Sequence, residues 1–223
     1  MPADVLTLFD LDNTLLPHDT EQLWVEFLIG ERVLDPTDVA RKSRDVTERY
    51  NRGEAAAIEF TEYYLALMAP HAMADLEALR ARFIVERVRG RITPAARLLV
   101  DRHRAAGDWI VVTTAVFRFL AEPQAAEFGI TDVIATEPEI VGDRFTGRVA
   151  GIANSREGKV ERLREWLAER GQRIDAFRDI WVYADSINDL PLLSHATRPV
   201  AVNADPLLSA TARHSGWPIL MLG

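Results

Sequence analysis

Val5-Leu6-Thr7-Leu8-Phe9-Asp10-Leu11-Asp12-Asn13-Thr14 is the stretch on which the fold turns. Five residues, apolar but for one threonine, stop abruptly at two acids spaced two apart. A short, nearly continuous apolar run of this kind is how a strand buried on both faces of a parallel sheet reads. Acids placed directly after it stand where open parallel sheets hold their ligands, beyond the carboxyl ends of the strands.

Outward from this strand the pattern changes twice. From Glu21 to Arg89 it is helical. Asp35-Pro36 reads as an N-cap followed by proline in the first turn, opening a helix that runs to Asn51 before Gly53 stops it. Further helices are expected over 54–68, ended by Pro70, and over 75–88, ended by Gly90. No strand pattern interrupts them. From Thr93 onward strands and helices alternate, with helices over 93–107, 119–128, 156–170, 188–195 and 206–213. The strands fall at 109–113, 133–135, 180–183, 200–202 and near Ile219. Ile140-Val141 and the run 145–149 are expected to pair as a hairpin through Gly142-Asp143. Strands joined by crossover helices imply a parallel sheet covered on both faces. The expected fold is α/β: a doubly wound, Rossmann-like parallel sheet core, residues 1–16 and 91–223, interrupted by a helical-bundle cap, residues 17–90.

Composition narrows the function. The chain has 223 residues and 34 acidic against 26 Lys and Arg side chains, a net charge of −8. Affinity for nucleic acid comes from cations neutralising phosphates, so no nucleic-acid partner is expected. There is no cysteine, which excludes disulfides, thiolate metal sites and a cysteine nucleophile, and suits a reducing cytoplasm. No uncharged apolar run approaches the roughly 20 residues of a membrane span. The first residues, with acids at positions 4 and 10, lack an export pattern. A soluble, cytoplasmic protein is expected, with no membrane partner, as a monomer or homodimer.

Three strand ends carry the chemistry: Asp10 and Asp12 after the first strand, Thr113-Thr114 after the second, and Asp185-Ser186-Ile187-Asn188-Asp189 after the strand at 180–183. Four carboxylates gathered at one rim repel one another unless a cation compensates them. A hard divalent ion with oxygen ligands, Mg²⁺, is the natural one.

These residues resemble the motifs of the haloacid dehalogenase superfamily of phosphatases. Asp10-Leu11-Asp12-Asn13-Thr14 is similar to its first motif, Thr114 after Ile110-Val111-Val112 to its second, Lys159 in Glu157-Gly158-Lys159-Val160 to its third, and 185–189 to its fourth. All four occur in the family's order, and the helical insert between the first two resembles the cap of the phosphoserine phosphatase subgroup. The resemblance implies a phosphoric monoester hydrolase acting on a small phosphorylated metabolite. Asp10 would be the nucleophile, forming an aspartyl phosphate. Asp12 would act as general acid and then base. Thr114 would donate to a phosphoryl oxygen, assisted by backbone N–H groups at a helix start directly after it, and Lys159 would stabilise the equatorial oxygens and offset the nucleophile's charge. Mg²⁺ would be held by Asp10, the backbone carbonyl of Asp12 and Asp185, with Asp189 completing the set through a water. Ala115-Val116 stands where such phosphatases often carry two glycines, and Ala184 where glycine is common. Ala115 would therefore touch substrate, and Val116 would narrow the space beside the phosphate.

Asp19 occupies the position of the acid that pairs with the substrate's amino group in phosphoserine phosphatases, which suggests an amine-bearing substrate such as phosphoserine or histidinol phosphate. Equally, Asp19 or Thr20 would cap the first insert helix. His18 is close enough in sequence to the first motif to touch substrate. Arg44, Arg49 and Arg52 would suit a substrate carboxylate, though on a helix rich in Glu and Arg they read better as a solvated face. His71, His103, His195 and His214 have no metal spacing. The same core would also serve a phosphomutase or phosphotransferase, and a noncatalytic receiver-like signalling module places similar groups at a sheet rim. Receivers, however, lack an insert after the first strand.

Overall fold

The computed structural model describes residues 4–51 and 58–222. Its centre is a six-stranded parallel sheet in the order β3-β2-β1-β6-β7-β8, formed by β1 (Val5–Phe9), β2 (Trp109–Phe117), β3 (Val133–Thr136), β6 (Asp179–Ala184), β7 (Arg198–Val202) and β8 (Ile219–Leu220). The chain leaves β1, adds β2 and then β3 on one side, and returns to β6 on the other. This reversal puts the switch point of the sheet at the carboxyl end of β1. In register, Phe9 lies beside Val112 of β2 and Tyr183 of β6, so Asp10, Thr113 and Ala184 come level where these strands end their regular pairing.

The period-two alternation of a strand divides the core. Leu6 and Leu8 point to one face, where Val160, Leu163 and Leu167 of α7 (Glu157–Ala168), Leu192 and Leu193 of α8 (Leu190–Leu193) and Leu208 and Ala212 of α9 (Pro206–Ser215) cover them. Phe9 points to the other, where α5 (Pro94–Ala106) and α6 (Arg118–Ala126) share a second cluster with the insert. Leu6, Leu8 and Phe9 are wholly buried, which is why the opening run carries apolar residues on both faces.

The insert supplies α1 (Thr20–Gly30), α2 (Pro36–Asn51), α3 (Ile58–Met68) and α4 (Met73–Phe83). Asp35 caps α2 as its sequence implies, its Oδ1 accepting from the Thr37 and Asp38 N–H groups at 2.7 and 3.2 Å. Of the helix expected over 54–68, the first four residues lie outside the described ones. The helix expected over 75–88 is α-helical only to Phe83, then widens into a π-helical turn, Ile84–Val88. Trp24 of α1 is fully buried against Phe27, Phe83 and Phe119, joining the insert to α6 through one aromatic cluster. No helix among the described residues is long and apolar enough to cross a membrane.

Two expectations need correction. The second strand does not end at Thr113: β2 runs to Phe117, which pairs with Thr136 beyond an irregularity that begins at Thr113. The hairpin also starts earlier, with β4 (Pro138–Val141) antiparallel to β5 (Arg144–Val149), and it stands apart from the main sheet and rests on α3. Gly147, at φ +87°, permits this seat, because a Cβ there would lie 3.2 Å from the Ala66 Cα.

Candidate active site

Asp10 leaves β1 with its N–H donating to the Tyr183 carbonyl at 2.9 Å, which ties it to β6. The chain then reverses. Leu15 and Leu16 N–H groups both donate to the Leu11 carbonyl at 2.9 Å, and Asn13 takes a left-handed φ of +53°. The turn carries Asp12 to the start of α1, where the Thr20 N–H donates to its Oδ2 at 2.8 Å and the Thr20 hydroxyl to its Oδ1. Asp19 caps α1, its Oδ1 accepting from the Gln22 N–H at 2.8 Å, and it also lines the cavity at the strand ends. Capping and facing a ligand are therefore compatible.

That cavity has a volume of about 240 Å³ and is lined by Asp10, Asp12, Asp19, Thr114, Ala115, Lys159, Asp185 and Asp189, residues contributed by the segments after β1 and β6, the irregular part of β2 and the starts of α1 and α7. Lys159 is its electrostatic centre. At 2% exposure, its Nζ donates to Asp10 Oδ1 at 2.7 Å and to Asp189 Oδ2 at 2.8 Å. Burial alone would lower the ammonium, but the two carboxylates outweigh it and hold Lys159 above the usual lysine range. Gly158 lets α7 begin there: a Cβ on it would come within 2.2 Å of the Ala153 carbonyl oxygen.

Burial and the neighbouring acids push the carboxyls up. Asp10 rises to about 6 through burial and the Asp189 charge, with Lys159 opposing. Asp185 rises to about 7 through burial and the charges of Asp10 and Asp189. Asp12 is held well above the usual carboxylate range, first by burial and then by the charge of Asp19.

Among the described residues no group of three or more His, Cys, Asp or Glu side chains forms a metal cage. The chemistry of the donors nevertheless fits Mg²⁺, which binds through one or two carboxylates and keeps several waters. Asp10 and Asp185 are two such carboxylates, both raised by burial and then by neighbouring acids, and a divalent ion would offset both causes.

Thr114 is buried at the cavity, its Oγ1 accepting from the Val116 N–H at 3.3 Å. No helix starts directly after it, since β2 continues and α6 begins at Arg118. The donors next to Thr114 are those of an irregular strand. His18 does not line the cavity; both ring nitrogens are sealed from solvent, and burial, with the Arg91 charge adding and Gln124 opposing, lowers the imidazole to about 4. Arg44 is exposed and also lies off the cavity, while the Arg49 side chain and Arg52 are outside the described residues.

Several contributors give no clear signal in the sequence. Asn154, wholly buried, donates from Nδ2 to the Thr114 and Ile134 carbonyls at 2.9 Å, fixing the loop before α7 against β2 and β3. Asp205 caps α9 and accepts from the Ile187 N–H at 2.8 Å, while its own N–H donates to the Asp185 carbonyl at 2.7 Å. Glu21 and Arg156 also line the cavity, and Arg156 does so from a left-handed φ of +52°.

Comparison with known proteins gives the family and the fold. Residues 7–194 match the family model of the haloacid dehalogenase-like hydrolases. The chain is 36% identical over 216 residues to the histidinol-phosphatase of Neisseria meningitidis serogroup C, covering 96% of this chain and 97% of that one. It is 29% identical to phosphoserine phosphatase SerB1 of Mycobacterium tuberculosis, covering 95% and 68%. A crystal structure of a protein of unknown function from Bordetella pertussis Tohama I superposes with a TM-score of 0.94 at 41% identity over the whole of both chains. A phospho-aspartyl intermediate analogue of phosphoserine phosphatase shares the fold at a TM-score of 0.66 and 17% identity, over 100% of this chain and 95% of that one. The match over most of the chain sets aside the receiver-like reading: this protein belongs to the haloacid dehalogenase-like hydrolases.

Proposed function

We propose that the protein hydrolyses a small phosphomonoester through an aspartyl phosphate on Asp10, with Mg²⁺ as cofactor. The observation that carries this reading is the Lys159 bridge between Asp10 and Asp189, set in one cavity with Asp12, Thr114 and Asp185. Lys159 holds Asp10 at the mouth of β1 with one carboxylate oxygen engaged, while Thr14 donates to the other at 3.4 Å. Asp10 attacks phosphorus as the P–O bond to the alcohol breaks, and Asp12 gives its proton to the departing oxygen. Asp12, now ionised, takes a proton from the water that attacks the aspartyl phosphate, releasing inorganic phosphate and restoring Asp10. Burial and the Asp19 charge raise Asp12 well above the usual carboxylate range, which favours the protonated form an acid needs, while Asp10 rises to about 6 with Lys159 opposing. Mg²⁺, when held by Asp10, Asp185 and the Asp12 carbonyl with Asp189 behind a water, would supply positive charge to the phosphoryl oxygens.

Residues 17–90 serve in this reading as the cap that selects the substrate. Asp19 at the cavity, and the full-length similarity to a histidinol-phosphatase, support an amine-bearing alcohol. A chain without cysteine suits action on such a metabolite in the cytoplasm. Phosphate release from a panel of phosphomonoesters, with Mg²⁺ and with chelator, tests the proposal. Hydrolysis of none of them by folded protein, or full activity in chelator or in Asp10→Asn, refutes it.

A further inference from the structure

We propose that Glu21 is a specificity-determining residue which, beside Asp19, receives a second cationic or N–H-donating nitrogen of the alcohol, so that the site selects phosphomonoesters carrying an amine and an imidazole over those carrying an amine and a carboxylate. The inference rests on the phosphatase reading above and concerns only the leaving group's end of the same cavity.

Glu21 lies in the first turn of α1 and lines the cavity. Its Oε1 is sealed from solvent and accepts no hydrogen bond from the protein. Buried carboxylate oxygens are ordinarily paired, and an unpaired one facing a binding cavity is relieved when a ligand brings a donor. Asp10 and Asp189 hold Lys159, Asp12 holds Thr20, and Asp19 accepts from Gln22 with one oxygen, whereas Glu21 accepts from the Phe117 backbone and keeps Oε1 unpaired. Burial, together with the charges of Asp19 and Asp12, raises the Glu21 carboxyl well above the usual range. A cation at its side would reverse that shift.

Charge favours the same occupant. Among the described residues, six carboxylates line the cavity against two cations, Lys159 and Arg156. A divalent ion and a phosphate dianion would cancel one another, leaving a negative site for the rest of the substrate. A carboxylate there adds repulsion, whereas a second basic nitrogen removes it. Arg156 belongs with Lys159 at the start of α7, whereas Asp19 and Glu21 belong to the start of α1.

The test is steady-state kinetics of the full chain with Mg²⁺ on histidinol phosphate, phosphoserine and p-nitrophenyl phosphate, for wild type, Glu21→Gln and Glu21→Ala. Inhibition by histidinol is measured alongside. Wild type is expected to prefer histidinol phosphate to phosphoserine. In Glu21→Gln the ratio of kcat/KM for histidinol phosphate to that for p-nitrophenyl phosphate should fall about tenfold or more, mainly through KM, with histidinol inhibition weakened alike. Glu21→Ala, which also removes the amide, should lower the ratio at least as far. A preference for phosphoserine, or an unchanged ratio in variants that still turn over p-nitrophenyl phosphate, overturns the role of Glu21 and leaves the phosphatase reading intact. If wild type hydrolyses none of the three, both fail together.

Discussion

Replacing Lys159 with methionine would strand two buried carboxylates. Lys159 is 2% exposed and donates to Asp10 and Asp189 at 2.7 and 2.8 Å, and the two acids, 7% and 4% exposed, have little water to replace the ammonium when it is gone. Removing one member of a buried ion pair destabilises by about 3–5 kcal/mol. The abandoned carboxyls limit the loss by taking up protons. Relative to a free carboxyl at 3.8, holding one proton costs about 1.4 kcal/mol per pH unit, hence about 4 kcal/mol near pH 7 and about 2 near pH 5. The sign follows from pKa values raised in the folded state: their stability contribution is present at low pH and is lost as pH rises through the folded values. Lys159→Met should therefore be destabilised by about 4 kcal/mol near pH 7 and about 2 kcal/mol near pH 5 in urea unfolding with chelator present. A loss under about 1 kcal/mol near pH 7, or one that grows toward pH 5, refutes the reasoning that Lys159 neutralises these acids.

Other outcomes follow from the same site. Asp12→Asn, which keeps an acceptor for the Thr20 N–H, should lower kcat by about 10²–10⁴ with KM little changed; a rise in KM at unchanged kcat contradicts its acid/base role. Gly158→Ala should displace the loop that carries Lys159, because the added methyl meets the Ala153 carbonyl, and should lower both thermal stability and turnover; wild-type values for both would show that the loop yields freely. Asp10 and Asp185, at about 6 and 7, make the metal-free fold lose stability as pH rises from about 4 to 8. Mg²⁺ should therefore raise Tm more near pH 8 than near pH 5.5, and an equal or opposite dependence in a thermal melt rejects Asp10 and Asp185 as its ligands.

The sheet and the acids at its rim are legible because each signal is local: an apolar run, then a turn, with the chemistry in the turn. Asp10, Asp12, Asp185 and Asp189 each follow a strand that its own residues declare. What escapes is what distant contacts decide. Val116 and Phe117 belong to β2 because Thr136 pairs across from Phe117, and nothing near Thr114 announces it. Glu21 reads as an ordinary acid in the first turn of a helix, where the dipole favours it. Only the cavity wall shows that one of its oxygens has no partner. Arg156 is hidden in a charged helix start, since its left-handed backbone is a property of the folded loop. The Asn154 bonds to two strand carbonyls depend on segments twenty and forty residues away.

The hairpin has a mechanical meaning. It grows from the sheet, just after β3, yet its β5 strand rests on α3 of the insert, the Met73 N–H donates to its Asp143 carbonyl at 2.8 Å, and the Val149 N–H donates to Glu62 at 3.3 Å. An insert joined to the sheet only by its two covalent ends would swing like a door on paired hinges. Beside the aromatic cluster that already ties α1 to α6, the hairpin is a strut that holds the insert from a second side, so a swing of α3 away from the sheet must bend the strut or slide α3 along it.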